Sequence, residues 1–231
     1  NSAATGHIEK VLEHVDGLDE GVDAVVARHK FETAFSDAAL AEARGASIDE
    51  VGALALGYRD LRERFVFTID PDDARDFDDA LSIEQVEEQD HLLWRVGVHI
   101  ADVSHYVEWG SALDLAARRR ATSVYLVDRV IPMIPEELSC GLCSLAPGEV
   151  RRSMTVDLYV GERAQLVRYE IYPAIICSKA RLTYGEALEM LEGEGEPVTF
   201  EGGKHTPCSD SPARANSPLG CLARAELRAE H

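Results

Sequence analysis

The sequence predicts a mixed α+β fold in which a largely antiparallel sheet packs against helices. Two observations carry that expectation. From Phe65 onward, short β-branched runs alternate apolar and polar residues with the period of two that a strand imposes. Around them, residues 37–44, 112–120 and 184–191 show helical spacing instead.

Residues 1–54 are acidic, rich in alanine and poor in aromatics, and read as a mostly helical segment preceding the main domain. The texture changes at Phe65-Val-Phe-Thr-Ile69, an apolar run followed by a dense acidic loop and then by Ala80-Leu-Ser-Ile83, which predicts strand, acidic loop, strand. Leu92 to Ala101 predicts another strand, with Val96, Val98 and Ile100 on one face and Asp102 just past its end. Ala112 to Arg120 predicts a helix whose three closing arginines suit its negative C-terminal end. Ser123-Val-Tyr-Leu126 and Val130-Ile131 flank a short turn, and Pro132, Pro135 and Pro147 predict irregular chain as far as Gly148. Two more strands are expected at 153–160 and 165–176, the first turning Met154, Val156, Leu158 and Val160 inward, and an amphipathic helix at 184–191 follows. Residues 201–231 hold no Ile, Val, Phe, Tyr, Trp or Met, so a low-complexity, disordered or non-native tail is expected there.

With 231 residues and 45% hydrophobic content, the chain can bury a core. No stretch approaches the roughly 18 apolar residues of a membrane span, and the opening residues lack a basic and then apolar leader, so a cytoplasmic protein with no membrane contact is expected. The first residue is Asn1, and the chain reads as a piece of a longer polypeptide. Its five cysteines are odd in number and irregularly spaced, which predicts reduced thiols, and Cys140-Gly-Leu-Cys143 lacks the two further ligands that zinc needs. The formal charge of −19 argues against a broad basic face for nucleic acid. RNA binding would require an interior channel with metal ions, or basic domains flanking this chain.

The sharpest feature is Asp70-Pro-Asp-Asp-Ala-Arg-Asp-Phe-Asp-Asp79, with six aspartates in ten residues directly after a strand. Carboxylates this close repel, so some must hold protons or a hard divalent ion must neutralise them. Oxygen-only ligands favour magnesium, manganese or calcium over zinc. The bland reading, a solvated acidic loop, is weakened by Phe67, Ile69 and Phe77, which tie the loop to a core. A calcium-binding EF-hand starting at Asp70 would need Gly at 75 and Glu at 81, where Arg75 and Leu81 stand. Ile69-Asp70-Pro71-Asp72 matches the start of a haloacid-dehalogenase-type phosphotransferase motif, but Ala74 stands where Thr or Val is wanted, leaving that reading as a runner-up.

Thr68-Ile-Asp-Pro-Asp-Asp-Ala-Arg-Asp-Phe-Asp-Asp-Ala-Leu81 resembles the catalytic motif of the ribonuclease II/ribonuclease R family. The resemblance continues in order through Val98–Tyr106, Arg120–Leu126, Ile131–Ser139, Gly141–Leu145 and Ser178–Tyr184, covering about residues 55 to 192. It implies that residues 55–200 are the N-terminal part of an RNB-type catalytic domain. It further implies 3′→5′ hydrolysis of single-stranded RNA, from its 3′ end, to nucleoside 5′-monophosphates, with magnesium, or manganese in its place. Asp70, Asp76, Asp78 and Asp79 match the family's acidic positions as metal ligands, with Asp78 and Asp79 the catalytic pair. Tyr125 matches a residue stacking near the reacting 3′ end, and Tyr184 one near the ribose, where the 2′-OH is sensed. No obligate protein partner is implied. Cys140 departs from the family pattern, and the family's second half, with its catalytic arginine, has no counterpart in these 231 residues. A segment inactive by itself, whether or not it still binds RNA, is therefore the expectation for this stretch alone. His99 and His105 flank Asp102, but a lone strand histidine is more often structural than a base.

Overall fold

The computed structural model describes residues 18–88, 91–192, 198–200 and 203–205. In chain order they form α1 (Leu18–His29), α2 (Asp37–Gly45), α3 (Glu50–Ala55), β1 (Arg59–Asp60), β2 (Val66–Asp70), β3 (Asp79–Glu88), β4 (His91–Ala101), α4 (Val103–Tyr106) and α5 (Ala112–Arg120). There follow β5 (Val124–Tyr125), β6 (Val130–Ile131), a π-helical run (Glu137–Leu142), β7 (Val150–Val160), β8 (Leu166–Thr183), α6 (Tyr184–Glu192), β9 (Val198–Phe200) and β10 (Gly203–His205). β9 and β10 pair with each other, and the rest of the expected tail lies outside the described residues. The chain divides into two compact units, one taking the described residues up to Arg44 with Val107–Pro135, the other Gly45–Tyr106 with the described residues from Glu136.

In the first unit, α5 forms where expected. The Ser111 hydroxyl accepts from Asp114 N at 3.1 Å, and the Glu42 carboxylate accepts from Ala112 and Leu113 N at 3.1 and 2.8 Å, so its first turn is capped twice. Its arginines are held by protein groups. Arg118 pairs with Asp114 and stacks on Trp109, Arg119 pairs with Glu32, and Arg120 donates to the carbonyls of Glu32 and Ala34. β5 and β6 make a small antiparallel ribbon that leaves Tyr125 exposed.

The second unit is built on a sheet that closes on itself. β2, β3, β4 and β7 are antiparallel neighbours in that order, and the long β8 pairs antiparallel with β7 through its first part and parallel with β2 through its last. Sequence spacing ends β8 near Ile176, but the strand runs on to Thr183 because its final residues find β2 as a partner. The helical turns over Glu137–Leu142, which break at the non-helical Gly141, were likewise not expected among the prolines. Pro132, Pro135 and Pro147 all fall outside residues 137–142, so none removes a donor from them. An apolar cluster of Phe67, Ala180, Leu182 and Met190, flanked by Phe65, Ile69 and Leu81, packs β2 and β8 against α6.

On β7 the inward face is the opposite of the expected one, and on β4 the face shared by Val96, Val98 and Ile100 is the outer one. From Ser153 onward the buried residues of β7 are Ser153, Thr155, Asp157 and Tyr159, while Met154 is exposed and Val156, Leu158 and Val160 are half-buried. On β4 the buried set is Leu93, Gly97, His99 and Ala101, with Val96 and Val98 half-buried and Ile100 exposed. The apolar alternation is real but marks the outer face, because the inward face of these strands carries a hydrogen-bonded polar network beside apolar residues such as Leu93 and Ala101. Each His99 ring nitrogen lies 2.9 Å from a hydroxyl, Ser82 on one side and Thr155 on the other. Arg64 donates to Asp157 at 2.8 Å, and the Tyr172 hydroxyl donates to the other carboxylate oxygen. Gly97 is required here, since a Cβ would stand 2.4 Å from Ser82 Oγ.

Burial and then the Arg64 charge push the His99 pKa from its ordinary 6.5 down to about 4, against the pull of Asp157. A base depressed in the folded state leaves stability whole above its unfolded pKa and removes it as pH falls towards the folded one. Stability is therefore expected to decline between about pH 6.5 and 4, by roughly 3 kcal/mol from this group. Urea midpoints across that window should slope less in His99→Gln than in wild type; equal slopes would refute the assignment.

Candidate active site

The acidic loop is delivered by two paired strands. Asp70 ends β2 and Asp79 begins β3, while Phe67 and Leu81 sit opposite each other and hold the two strands together. Residues 71–78 between them have no regular structure, yet their backbone is held from two sides. The Ser144 hydroxyl donates to Arg75 O at 3.0 Å and accepts from Phe77 N at 3.1 Å, and Leu145 N donates to Phe77 O at 2.9 Å. Arg181, on β8, donates through Nη2 to Pro71 O and Asp72 O at 2.6 and 2.8 Å. Ala101 N, at the end of β4, donates to Asp78 O at 2.9 Å.

The structure brings Asp70, Asp76, Asp78 and Asp79 within electrostatic reach of one another. The Asp70 pKa is raised, first by burial and then by the charges of Asp79 and Asp76, with the Thr68 hydroxyl and the Arg181 guanidinium opposing. The Asp78 pKa is raised too, by partial desolvation and then by the charges of Asp76, Asp79 and Asp70, although Asp78, like Asp79, keeps an exposed edge towards solvent. Asp70 Oδ2 is buried without a hydrogen-bond partner. An orphaned carboxylate oxygen beside three other carboxylates is chemically suited to a hard divalent cation. Among the described residues, however, no three His, Cys, Asp or Glu side chains are gathered in a metal-holding arrangement. Asp72 and Asp73 are exposed on the same loop.

Thr183 is the register partner of Asp70, so Tyr184, the next residue, starts α6 beside the acidic site. The helix start is locked by a reciprocal cap: Thr183 Oγ1 accepts from Glu186 N at 3.2 Å while Glu186 Oε2 accepts from Thr183 N at 2.7 Å. Tyr184 is left exposed there, and Tyr125 is exposed in the other unit. Asp102 serves as an acceptor for Tyr58 OH at 2.5 Å and Ser104 Oγ at 2.8 Å, so its carboxylate and the His99 ring are engaged with different partners. Cys140, Cys143 and Cys177 are free, and burial, reinforced by Asp78 and Asp102, pushes the Cys143 thiol up to about 12. That protonated thiol suits neither zinc nor redox chemistry.

Sequence reading missed Ser144 and Arg181. Each lies far along the chain from the loop it holds, and spacing carries no signal for a contact that only the fold creates.

The site's elements also correspond to a known family. The model of the RNB domain matches residues 58–204. The chain belongs to this family. Similar relatives include ribonuclease R of Thermotoga maritima, 41% identical over 84% of this chain and 27% of the relative, and ribonuclease R of Escherichia coli K12, 39% identical over 83% and 23%. The structure of Mycoplasma genitalium RNase R in complex with ribose methylated single-stranded RNA superposes with a TM-score of 0.80 at 25% identity, covering 95% of this chain and 32% of that one. This RNB chain thus spans about a quarter of the length of the curated relatives it matches. The α+β class and the family resemblance read from the sequence both hold. No described helix is long and apolar enough to cross a membrane.

Proposed function

We propose that the full-length enzyme carrying this chain is a 3′→5′ exoribonuclease that hydrolyses single-stranded RNA to nucleoside 5′-monophosphates in the cytoplasm. The observation that carries the reading is the set of four aspartates at the junction of β2 and β3 within an RNB domain, crowded closely enough that their charges help raise the pKa of Asp70 and Asp78. Asp70, Asp76, Asp78 and Asp79 would hold magnesium, or manganese, which when bound supplies Lewis acidity at the phosphoryl group and an acidified water.

The chain's own residues provide the frame. β2 and β3 fix the ends of the acidic loop, and the partnerless Asp70 oxygen remains available as a ligand. Tyr184, on a capped helix start next to Asp70, offers an exposed ring to the ribose and base at the RNA 3′ end, and Tyr125 offers a second stacking surface. Stacking accepts any base, which suits an enzyme that removes successive nucleotides regardless of sequence. The −19 charge of the chain means that phosphate neutralisation must come from the metal and from other parts of the polypeptide.

Incubating the full-length enzyme with 5′-labelled single-stranded RNA and magnesium should shorten it stepwise from the 3′ end and release nucleoside 5′-monophosphates, leaving the matching DNA intact. Internal cleavage, or equal loss of DNA, would overturn the reading.

A further inference from the structure

We propose that Ser144 is the positioning residue of this site, holding Asp76 and, with Leu145, Asp78 in the orientation the reaction needs; this rests on the exoribonuclease reading above. One hydroxyl bonds both peptide groups that flank Asp76. It donates to Arg75 O, in the peptide before Asp76, and accepts from Phe77 N, in the peptide after it. Together these bonds fix the backbone dihedral angles of Asp76. The next carboxylate is held in the same manner, since Leu145 N bonds Phe77 O on one side of Asp78 and Ala101 N bonds Asp78 O on the other.

The loop needs such a device. Six aspartates in ten residues push against one another, and residues 71–78 have no helix or strand hydrogen bonds of their own. Ser144 is 1% exposed, and the main chain behind it is anchored where Arg151 Nε donates to Ser144 O at 2.8 Å, so the hydroxyl is a fixed point rather than a mobile surface group. Arg181 restrains the opposite end of the loop through Pro71 O and Asp72 O, while Ser144 bonds the two peptide groups beside Asp76. A rigid support behind charged ligands reduces the reorganisation required when a cation binds.

The test compares wild type, Ser144→Ala and Ser144→Thr in the full-length enzyme, measuring kcat and KM on single-stranded RNA, the manganese concentration for half-maximal rate, and thermal unfolding. Loss of the hydroxyl should lower kcat by about 10- to 100-fold and raise the manganese requirement, with KM for RNA within about twofold, and Thr should restore most of the rate. If Ser144→Ala unfolds at assay temperature, Ser144→Thr and Ser144→Cys decide instead, the role predicting that manganese requirement tracks hydroxyl retention among folded variants. Wild-type kcat and manganese requirement in folded Ser144→Ala would overturn the positioning role while leaving the exoribonuclease reading intact. A wild-type enzyme that degrades RNA without any divalent ion would overturn the metal reading, and the positioning role with it.

Discussion

Asp79→Asn in the full-length enzyme is expected to lower RNA hydrolysis by at least about a thousandfold, roughly 4 kcal/mol of barrier, while RNA affinity stays within about twofold. Asparagine keeps the shape of the side chain and the β-strand pairing of residue 79 with Ile100, so the fold has no reason to change. What disappears is one of the four charges crowded at the site. Asp79 raises the pKa of both Asp70 and Asp78, and its neutralisation should bring those two carboxyls back towards their ordinary range. The same loss removes a ligand charge from a site whose chemistry depends on holding a divalent cation. Stacking on Tyr125 and Tyr184 does not involve this carboxylate, which separates the effect on turnover from the effect on binding. Single-turnover assays together with filter binding would check both halves. Retention of more than about a tenth of the wild-type rate, a barrier change under ~1.4 kcal/mol, would remove Asp79 from the reaction.

How much of this was legible in the sequence depends on the range of the interaction concerned. The strand, acidic loop and strand around Asp70 to Asp79 were readable because β-branched alternation and charge crowding are local signals. The helices at Ala112–Arg120 and Tyr184–Glu192 were readable for the same reason, the first through its closing arginines and the second, expected over 184–191, through amphipathic spacing. The direction in which β4 and β7 face was not. In an open sheet over an apolar core, Met154, Val156 and Leu158 would point inward, whereas a closed sheet with a polar network inside turns Thr155 and Asp157 in and leaves the apolar row outside. Only the closure of β8 onto β2, a long-range event, decides between the two. The acidic loop shows the same division. Its carboxylates were named from the motif, but Ser144 and Arg181 are joined to it by hydrogen bonds across 69 and 110 positions of sequence, which no periodicity can report.

That polar interior makes Arg64 the residue whose loss should cost the fold most. Arg64→Met is expected to destabilise the chain by about 3–5 kcal/mol, seen as a fall in the urea midpoint without a change in slope. The Asp157 carboxylate is 1% exposed and bonded to Arg64 at 2.8 Å, with the Tyr172 hydroxyl as its other partner. Removing the guanidinium leaves a buried anion with one neutral donor, and a neutral hydroxyl cannot replace the charge. Arg64 is also the second cause, after burial, of the depressed His99 pKa, and Asp157 pulls the other way. With Arg64 gone, His99 should therefore bind its proton at higher pH, beside a carboxylate now lacking its cation. The sign of the pH effect follows. Wild type loses stability from His99 as pH falls from about 6.5 towards 4, whereas the variant should lose less over the same window, so the gap between the two narrows on acidification. Asp157→Asn combined with Arg64→Met should recover part of the loss, because no buried charge then remains unpaired. Urea titrations of wild type, the single variants and the double variant at pH 7 and pH 5 measure all of these quantities. A loss below about 1 kcal/mol for Arg64→Met at pH 7 would show that solvent reaches Asp157 and that the interior network does not carry the barrel.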